Sequence, residues 1–217
     1  MKTKSLLVLV LVLLMAQHAI AQKRLGVVVG VNLARFHLGD EEIDLKTRTG
    51  FGIGGIFDFV LTKTATVRLA PFYIQKGAKQ DVSNDPQLDA AEIIFKITYF
   101  EVPVFLKIGS GSGPVRPYGL FGPSFGFNVS SEREIRGQDS ENITDIETAI
   151  NLFDIGVGIG GGLSFPVSKY LFFIEGRYAL SILNVHQGGK IGFREESLGL
   201  GDEIKNRGIQ LMAGFSF

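Results

Sequence analysis

Alternation between bulky apolar and small or polar residues is the feature that most limits what this chain can fold into. In the segment FDIGVGIGGGLSF, residues 153–165, every phenylalanine, isoleucine, valine and leucine has an odd number, and the aspartate and serine have even numbers. An α-helix would spread these residues around its axis, whereas a β-strand places alternate residues on one face. The segment therefore predicts a strand with one bulky apolar face and one small, more polar face.

Eight segments of the chain show such alternation to a greater or lesser degree. They cover residues 24–35, 49–60, 65–77, 93–108, 115–128, 151–165, 170–182 and 205–217. The chain of 217 residues also contains 28 glycines and 18 phenylalanines, a composition that suits strands better than helices. It contains no cysteine, so disulfide bonds cannot stabilise it.

The connections between these segments alternate in length. The short ones, residues 61–64, 109–114 and 166–169, hold four to six residues, and the long ones, residues 36–48, 78–92, 129–150 and 183–204, hold 13 to 22. Short periplasmic turns and long extracellular loops are typical of barrels in the bacterial outer membrane. We therefore predict an all-β fold, an eight-stranded antiparallel up-and-down transmembrane β-barrel.

The first 21 residues have the pattern of a secretory signal peptide. Two lysines precede an apolar run, residues 6–16, and Ala19 and Ala21 form a small-residue cleavage site. A membrane-spanning helix is the alternative, but the run is shorter than the ~20 residues that a bilayer requires, and Gln17 interrupts it. We predict cleavage after Ala21, which leaves residues 22–217 as a barrel domain exported to the outer membrane.

The acidic residues provide a test of the barrel hypothesis. Without the signal peptide the chain has 20 basic and 22 acidic residues, too little positive charge to indicate nucleic-acid binding. Eighteen of the acidic residues fall in the long connections. The other four, Asp58, Glu101, Asp154 and Glu175, lie in strands, on the less aliphatic face. A carboxylate on the lipid face would be costly, so we expect all four to point into the barrel.

Three basic residues share this inward parity and are candidate partners for the carboxylates. We predict a buried ion-pair network in the barrel lumen, made of Asp58, Arg68, Glu101, Lys107, Asp154, Glu175 and Arg177. Eight strands enclose room for side chains and little else, which favours a structural role for the network. A proton or ion path through the same residues is the alternative.

Aromatic residues on the opposite face predict contact with outer-membrane lipid. Many lie near strand ends, where the headgroup interface is expected: Phe51, Phe57, Phe59, Phe100, Phe121, Phe125, Phe127, Phe153, Phe165, Phe172, Tyr178, Phe215 and Phe217. Three prolines within predicted strands, Pro71, Pro103 and Pro123, each remove a donor from the hydrogen-bond ladder, so we expect β-bulges there.

Three segments resemble a known family. They are YFEVPVFLKIG (residues 99–109), PYGLFGPSFGF (117–127) and FFIEGRYALSILNV (172–185), and they are similar to the outer-membrane β-barrel domain family often called PorT-like, widespread in Bacteroidota. The resemblance covers nearly all of residues 22–217 and implies a barrel of OmpA-like architecture. It also implies that Phe217 is the insertion signal read by the barrel-assembly machinery. PorT itself is associated with a protein secretion system, so an envelope or secretion-system protein is a candidate partner.

The sequence predicts no catalytic residue, cofactor or metal site. Its histidines, His18, His37 and His186, form no His-x-x-x-His pair, and no spacing ties a serine such as Ser131 to His37 or His186 as nucleophile and base. The acidic third long connection could bind a divalent cation, but it lacks the fixed ligand positions of a calcium loop, which favours a solvated surface.

The prediction for function is accordingly a non-enzymatic integral outer-membrane protein. We expect a monomer with a structural or interaction role through its long acidic extracellular loops. A narrow porin or channel and a lipid-modifying enzyme are the functional alternatives, and a soluble periplasmic β-sandwich is the structural one. Eight strands leave no open pore, and a soluble sandwich has no need for so many outward aromatic residues.

Overall fold

The computed structural model describes residues 23–38, 45–81, 92–110, 112–136, 141–145, 150–185 and 204–217. The predicted signal peptide, residues 1–21, and part of each long connection lie outside the described residues. Within them the chain forms ten strands: β1 Lys23–Leu38, β2 Leu45–Val60, β3 Ala65–Leu69, β4 Phe72–Asp81, β5 Glu92–Gly109, β6 Arg116–Arg136, β7 Glu141–Asp145, β8 Phe153–Val167, β9 Tyr170–Ser181 and β10 Ile204–Ser216.

The strands close into a ring with eight strand positions. Neighbours along the chain pair antiparallel from β1 to β2 and from β8 to β10, and β1 pairs with β10 to close the ring. β3 and β4 both pair with β2 on one side and β5 on the other. Together they therefore occupy one position of the ring, with a short break between them. β5 then pairs with β6, and β6 with β8. The predicted eight-stranded antiparallel barrel is confirmed, and β7 is an additional strand that pairs with the end of β6.

The bulges expected at the prolines are absent from the described strands. The register of β2 and of β5 with their common neighbour is the same on both sides of Pro71. The carbonyl oxygens of Pro71 and Pro103 still accept hydrogen bonds, from Gly55 N at 2.9 Å and Ala70 N at 3.2 Å. Each of these prolines therefore lacks a backbone N–H donor but does not introduce a bulge. The register of β6 with β8 is likewise unchanged at Pro123.

The register shifts instead at two other places. Between Thr47 and Gly52 the pairing of β2 with β4 slips by one residue, close to Gly77 of β4, which has a φ of 126°. A side chain at Gly77 would also approach the Phe95 carbonyl oxygen to 2.0 Å, so glycine meets both requirements. The second shift follows Thr98 of β5, where β6 contains one extra residue.

Through most of its height the barrel is apolar outside, and its interior contains buried charged and polar side chains among apolar ones. The exposed side chains are mainly Phe, Ile, Val and Leu, for example Phe51 at 67% and Ile159 at 64% exposure, whereas Arg68 inside is fully buried. Such a surface is stable only in an apolar solvent. Among the described residues, no helix is both long and apolar enough to cross a membrane.

At the end with the long connections, called here the long-connection end, this polarity reverses. The interior there is an apolar cluster that includes Phe36, Leu45, Ile93, Phe95 and Ile204, with the Phe36 and Phe95 ring centroids 6.2 Å apart. We refer to these five residues as the apolar cap. The strands extend further into this region than the sequence pattern predicts: β6 has 21 residues, about twice the length that a membrane crossing needs.

The outer surface around the apolar cap is charged. Arg35 of β1 and Arg207 of β10 are opposite each other in the ladder and both have outward parity, directly beyond the last apolar outward residues, Leu33 and Ile209. The change from apolar to charged side chains marks the upper boundary of the lipid-facing surface.

Candidate functional site

The largest group of charged side chains is a buried layer in the barrel interior, near the β2–β3 turn. Arg68 of β3 donates from Nε to Asp58 Oδ1 at 2.7 Å and from Nη2 to Asp58 Oδ2 at 2.8 Å, a bidentate pair between neighbouring strands. Its third nitrogen, Nη1, donates to Glu175 Oε2 of β9 at 2.8 Å. The Arg68 side chain is fully buried, so three charged groups share one buried site.

Neighbouring side chains complete this layer. The Tyr118 hydroxyl donates to Glu175 Oε2 at 2.7 Å, and the Arg177 guanidinium contacts Glu175 Oε1. Arg68 Cζ also lies 4.9 Å from the ring centroid of Phe173. Two arginines thereby balance two carboxylates, and both arginines lie against aromatic faces. We refer to Asp58, Arg68, Glu175 and Arg177 as the arginine layer. Its close geometry offsets the desolvation of four buried charges.

A second charged group lies between the arginine layer and the apolar cap. Lys76 Nζ of β4 lies 2.6 Å from Glu101 Oε2 of β5 and 3.2 Å from Asp154 Oδ2 of β8. The Ser124 hydroxyl donates to Glu101 Oε1 at 2.5 Å, and the Ser181 hydroxyl to Asp154 Oδ2 at 2.8 Å. One ammonium is therefore shared by two carboxylates, each with an additional hydroxyl donor.

A small cavity of about 10 Å³ adjoins this lysine group. It is lined by polar residues that include Asn32, Asp154, Asn206 and Gln210, each with a buried polar atom that has no protein hydrogen-bond partner. The volume and the polar lining fit a single bridging water molecule. The space is too small for a solute, so the interior at this level is packed rather than open.

The structure places all seven residues of the predicted lumen network inside the barrel. Six of them form ion pairs, in two separate groups rather than one network. Lys107 makes no ion pair with a described residue, and its Nζ lies 3.9 Å from the Tyr118 ring centroid. Sequence reasoning missed Lys76, although its parity matches that of Arg68, and it missed Tyr118 and Ser124 as donors to the carboxylates.

The serine and histidine considered for an enzymatic site do not meet. Ser131 is fully buried and accepts a hydrogen bond from Asn128 Nδ2 at 2.6 Å. His37 follows the buried Phe36 and has outward parity on β1. His186 lies outside the described residues. Within the described part of the chain, no group of three or more His, Asp or Glu side chains is arranged to hold a metal ion.

The C-terminal strand ends in an aromatic group on the outer surface. Phe217 N donates to Leu25 O at 2.8 Å, and Leu25 N donates to Phe217 O at 3.1 Å. The Phe217 ring is 56% exposed, and its centroid lies 6.4 Å from that of Phe215. Tyr170 and Phe172 continue this aromatic group around the end with the short turns, called here the short-turn end. Aromatic rings at this level are typical of a membrane interface.

A closed ring with an apolar exterior and a charged, packed interior defines an integral β-barrel of the outer membrane. Residues 15–187 match the outer membrane protein beta-barrel domain family, and the chain belongs to that family. Family membership confirms the coarser part of the resemblance noted in the sequence and the outer-membrane location.

Several solved structures of outer-membrane proteins are similar to this chain. Neisserial surface protein A has a TM-score of 0.48 at 16% identity, over 88% of this chain and 95% of its own. Ail, the attachment invasion locus protein of Yersinia pestis, in complex with the heparin analogue sucrose octasulfate, has 0.46 at 18%, over 90% and 99%. OprG from Pseudomonas aeruginosa has 0.45 at 14%, over 89% and 94%. Among curated proteins, none matches the chain.

Proposed function

We propose that this protein is a non-enzymatic, non-conducting outer-membrane barrel that holds its long acidic connections at the cell surface for a structural or interaction role. One observation carries the proposal. Arg68 of β3 contacts Glu175 of β9 on the opposite side of the ring, and neither side chain has exposed surface. A barrel whose interior is closed by such a contact is better suited to a structural role than to transport of solutes.

The energetics of the arginine layer support a closed interior. A permeating ion would have to separate Arg68 from Asp58 or Glu175, and breaking one buried ion pair costs about 3–5 kcal/mol. The lysine group adds a second barrier on the same path, because Lys76 is held by Glu101 and Asp154. These contacts support the structural interpretation of the lumen charges over an ion path.

The long-connection end supports an interaction role. The apolar cap gives this end a core of its own, and β5, β6 and β7 continue beyond the lipid-facing surface as a three-stranded sheet. Glu134 in this region is buried and contacts both Lys96 and Arg136. A rigid base of this kind holds the connections in a fixed position, which favours recognition of a partner.

Biogenesis is part of the same proposal. We infer export by residues 1–21 with cleavage after Ala21, insertion of a monomer by barrel-assembly machinery that reads Phe217, and a PorT-like relationship within Bacteroidota. The last point makes an envelope or secretion-system protein the candidate partner. Exposure of the Phe217 ring at the end of a paired strand supports its role as a signal that another protein can bind.

Conductance in planar lipid bilayers tests the closed barrel. We expect no current steps from the folded wild-type protein. The double variant Arg68→Ala/Glu175→Ala removes the two side chains that span the interior, and we expect it to produce small steps if it folds. Steady steps from the wild type would contradict the proposal and support the narrow-channel alternative.

Site-specific photo-cross-linking in intact cells tests the interaction role. A cross-linking residue at Arg136, at the end of β6, is compared with one at Thr62 in a short turn; both positions are exposed. We expect discrete adducts with an envelope protein from position 136 only. Adducts from neither position, in cells where the barrel is folded, would contradict an interaction role. The Ser131–His37 pair considered for the lipid-modifying alternative is not supported, because Ser131 points into the barrel and His37 points outward.

A further inference from the structure

A second cavity lies at the short-turn end of the barrel and differs from the rest of the interior in charge. It measures about 210 Å³, and its lining includes four basic side chains, Arg24, Lys63, Lys107 and Arg116, but no Asp or Glu side chain. We refer to this cavity as the basic cup. Its basic residues come from β1, from the β2–β3 turn, from β5 and from β6, so they surround the space from several sides.

The carboxylates nearest to the basic cup are already engaged. Both oxygens of Asp58 accept hydrogen bonds from Arg68. Glu175 contacts Arg68, Tyr118 and Arg177. Because the arginine layer contains two positive and two negative groups, it is neutral by itself and leaves no negative charge to balance the cup.

The basic groups of the cup have few partners of their own. Lys107 and Arg24 make no ion pair with a described residue. Arg116 Nε donates to the Gly113 carbonyl oxygen at 3.1 Å, which leaves its charge unbalanced. Lys107 lies against the Tyr118 ring, a contact that orients its ammonium without neutralising it. Four like charges around one space repel each other unless an anion lies between them.

We propose that the basic cup binds a phosphate group, either of a soluble phosphate compound or of a lipid headgroup. A phosphate presents several acceptor oxygens in a tetrahedral arrangement, which suits donors that converge from four elements of the wall. Thr64 and Thr66 also line the cup, and their hydroxyls can add neutral donors. This inference goes beyond the proposed function, since it concerns the opposite end of the barrel and is independent of conductance.

Titration calorimetry with pyrophosphate tests the proposal on the full chain folded in zwitterionic detergent at low salt. We expect saturable binding that weakens about tenfold in Lys107→Gln and in Arg116→Gln, since each variant removes a charged hydrogen-bond donor. Lys169→Gln is the matched control: Lys169 is an exposed lysine at the same end that does not line the cup. We expect it to bind as the wild type does. Heat-shifted electrophoretic mobility verifies that each variant is folded, and Arg24→Gln replaces any variant that is not.

Lipid retention distinguishes the two sources of phosphate. The protein is reconstituted in phosphatidylcholine nanodiscs with and without phosphatidylglycerol, and retained lipid is measured by native mass spectrometry. Phosphatidylglycerol retained by the wild type and lost in Lys107→Gln would identify a headgroup site. Pyrophosphate binding without lipid retention would identify a soluble ligand. Absence of binding in both experiments, or equal loss in Lys169→Gln, would overturn the proposal.

Discussion

Arg68 of β3 and Glu175 of β9 lie on opposite walls of the barrel, and a 2.8 Å contact between Nη1 and Oε2 joins them across the interior. The two residues are 107 positions apart in the sequence. Since each wall is already fixed by its ladder of hydrogen bonds, the contact acts as a strut that resists flattening of the ring. It also connects two pairs that are local, Arg68 with Asp58 and Arg177 with Glu175.

Removal of the arginine at the centre of this strut should destabilise the barrel strongly. We expect Arg68→Leu to lower the free energy of unfolding by about 3–5 kcal/mol, because Asp58 loses its buried partner and Glu175 loses one of two. The fraction of heat-shifted protein, measured by electrophoresis across a urea series, gives this value. Lys107→Met, which breaks no ion pair, is the control, and a loss for Arg68→Leu no larger than that of the control would contradict the prediction.

A double-mutant cycle separates the contribution of the Arg68–Asp58 pair from the cost of an isolated charge. We expect Arg68→Leu/Asp58→Leu to be more stable than Arg68→Leu alone, because a hydrophobic pair replaces an unpaired buried carboxylate. Glu175 keeps Arg177 and Tyr118 in this background. The same urea series measures Arg68→Leu, Asp58→Leu and the double variant. Strictly additive losses would show that the two side chains contribute independently.

The free-energy cost of a charged residue on the lipid-facing surface should depend on its depth in the membrane. Ile159 lies near the middle of β8 with 64% exposure, so Ile159→Arg should cost about 2–4 kcal/mol in a bilayer. Thr98 of β5 lies further toward the long-connection end, beyond the exposed Phe100, and Thr98→Arg should cost at most about 1 kcal/mol. Urea unfolding in phospholipid vesicles compares the two variants. Equal costs would contradict the position assigned to the membrane boundary.

The terminal phenylalanine should matter for assembly rather than for stability. The exposed ring of Phe217 contacts only Phe215 among the aromatic residues described, so Phe217→Ala should change urea unfolding in detergent by less than about 1 kcal/mol. In cells we expect the folded, heat-shifted fraction to fall several-fold, because the assembly machinery would no longer recognise the strand. Phe172→Ala, in the same aromatic group, is the control. Wild-type assembly of Phe217→Ala would contradict a role as the insertion signal.

Two glycines allow a test of backbone geometry. Gly77 has a φ of 126°, and a methyl carbon added there would lie 2.0 Å from Phe95 O, so Gly77→Ala should destabilise the barrel by at least about 1–3 kcal/mol. At Gly55 the nearest atom is Phe57 Cε2 at 3.5 Å, and Gly55→Ala should be neutral or slightly stabilising. Urea unfolding of the two alanine variants decides the question, and similar values would contradict the geometric explanation.

The architecture could be predicted from the sequence because it depends on alternation alone. Parity assigned Asp58 and Arg68 to the interior without knowledge of their partners. The eight alternating segments indicated the number of strands, and the loop lengths indicated an outer-membrane barrel. The contacts could not be predicted in the same way. Whether Arg68 meets Glu175 depends on the stagger between strands, which is set by register across the whole ring rather than by local residue type.

The errors have physical causes as well. Lys76, the cation of the lysine group, was not among the predicted lumen residues. Because the register is unchanged across Pro71, Lys76 has the same parity as Arg68 and points inward. The strand predicted over residues 93–108 agrees with β5, whereas the extension of β6 to Arg136 was missed. Residues 130–134, Ser-Ser-Glu-Arg-Glu, lack the apolar alternation of the preceding segment, so the sequence pattern favoured a loop there.

The charged boundary at Arg35 and Arg207 has a further consequence, which concerns how deeply the barrel is immersed. The aromatic group of Tyr170, Phe172, Phe215 and Phe217 prefers one interface, and the two arginines exclude hydrocarbon from the other side. Movement of the barrel along the membrane normal would bring the aromatic rings into water in one direction and the guanidinium groups into the acyl chains in the other. The hydrophobic height is therefore fixed by the protein, and a bilayer of different thickness must deform to match it.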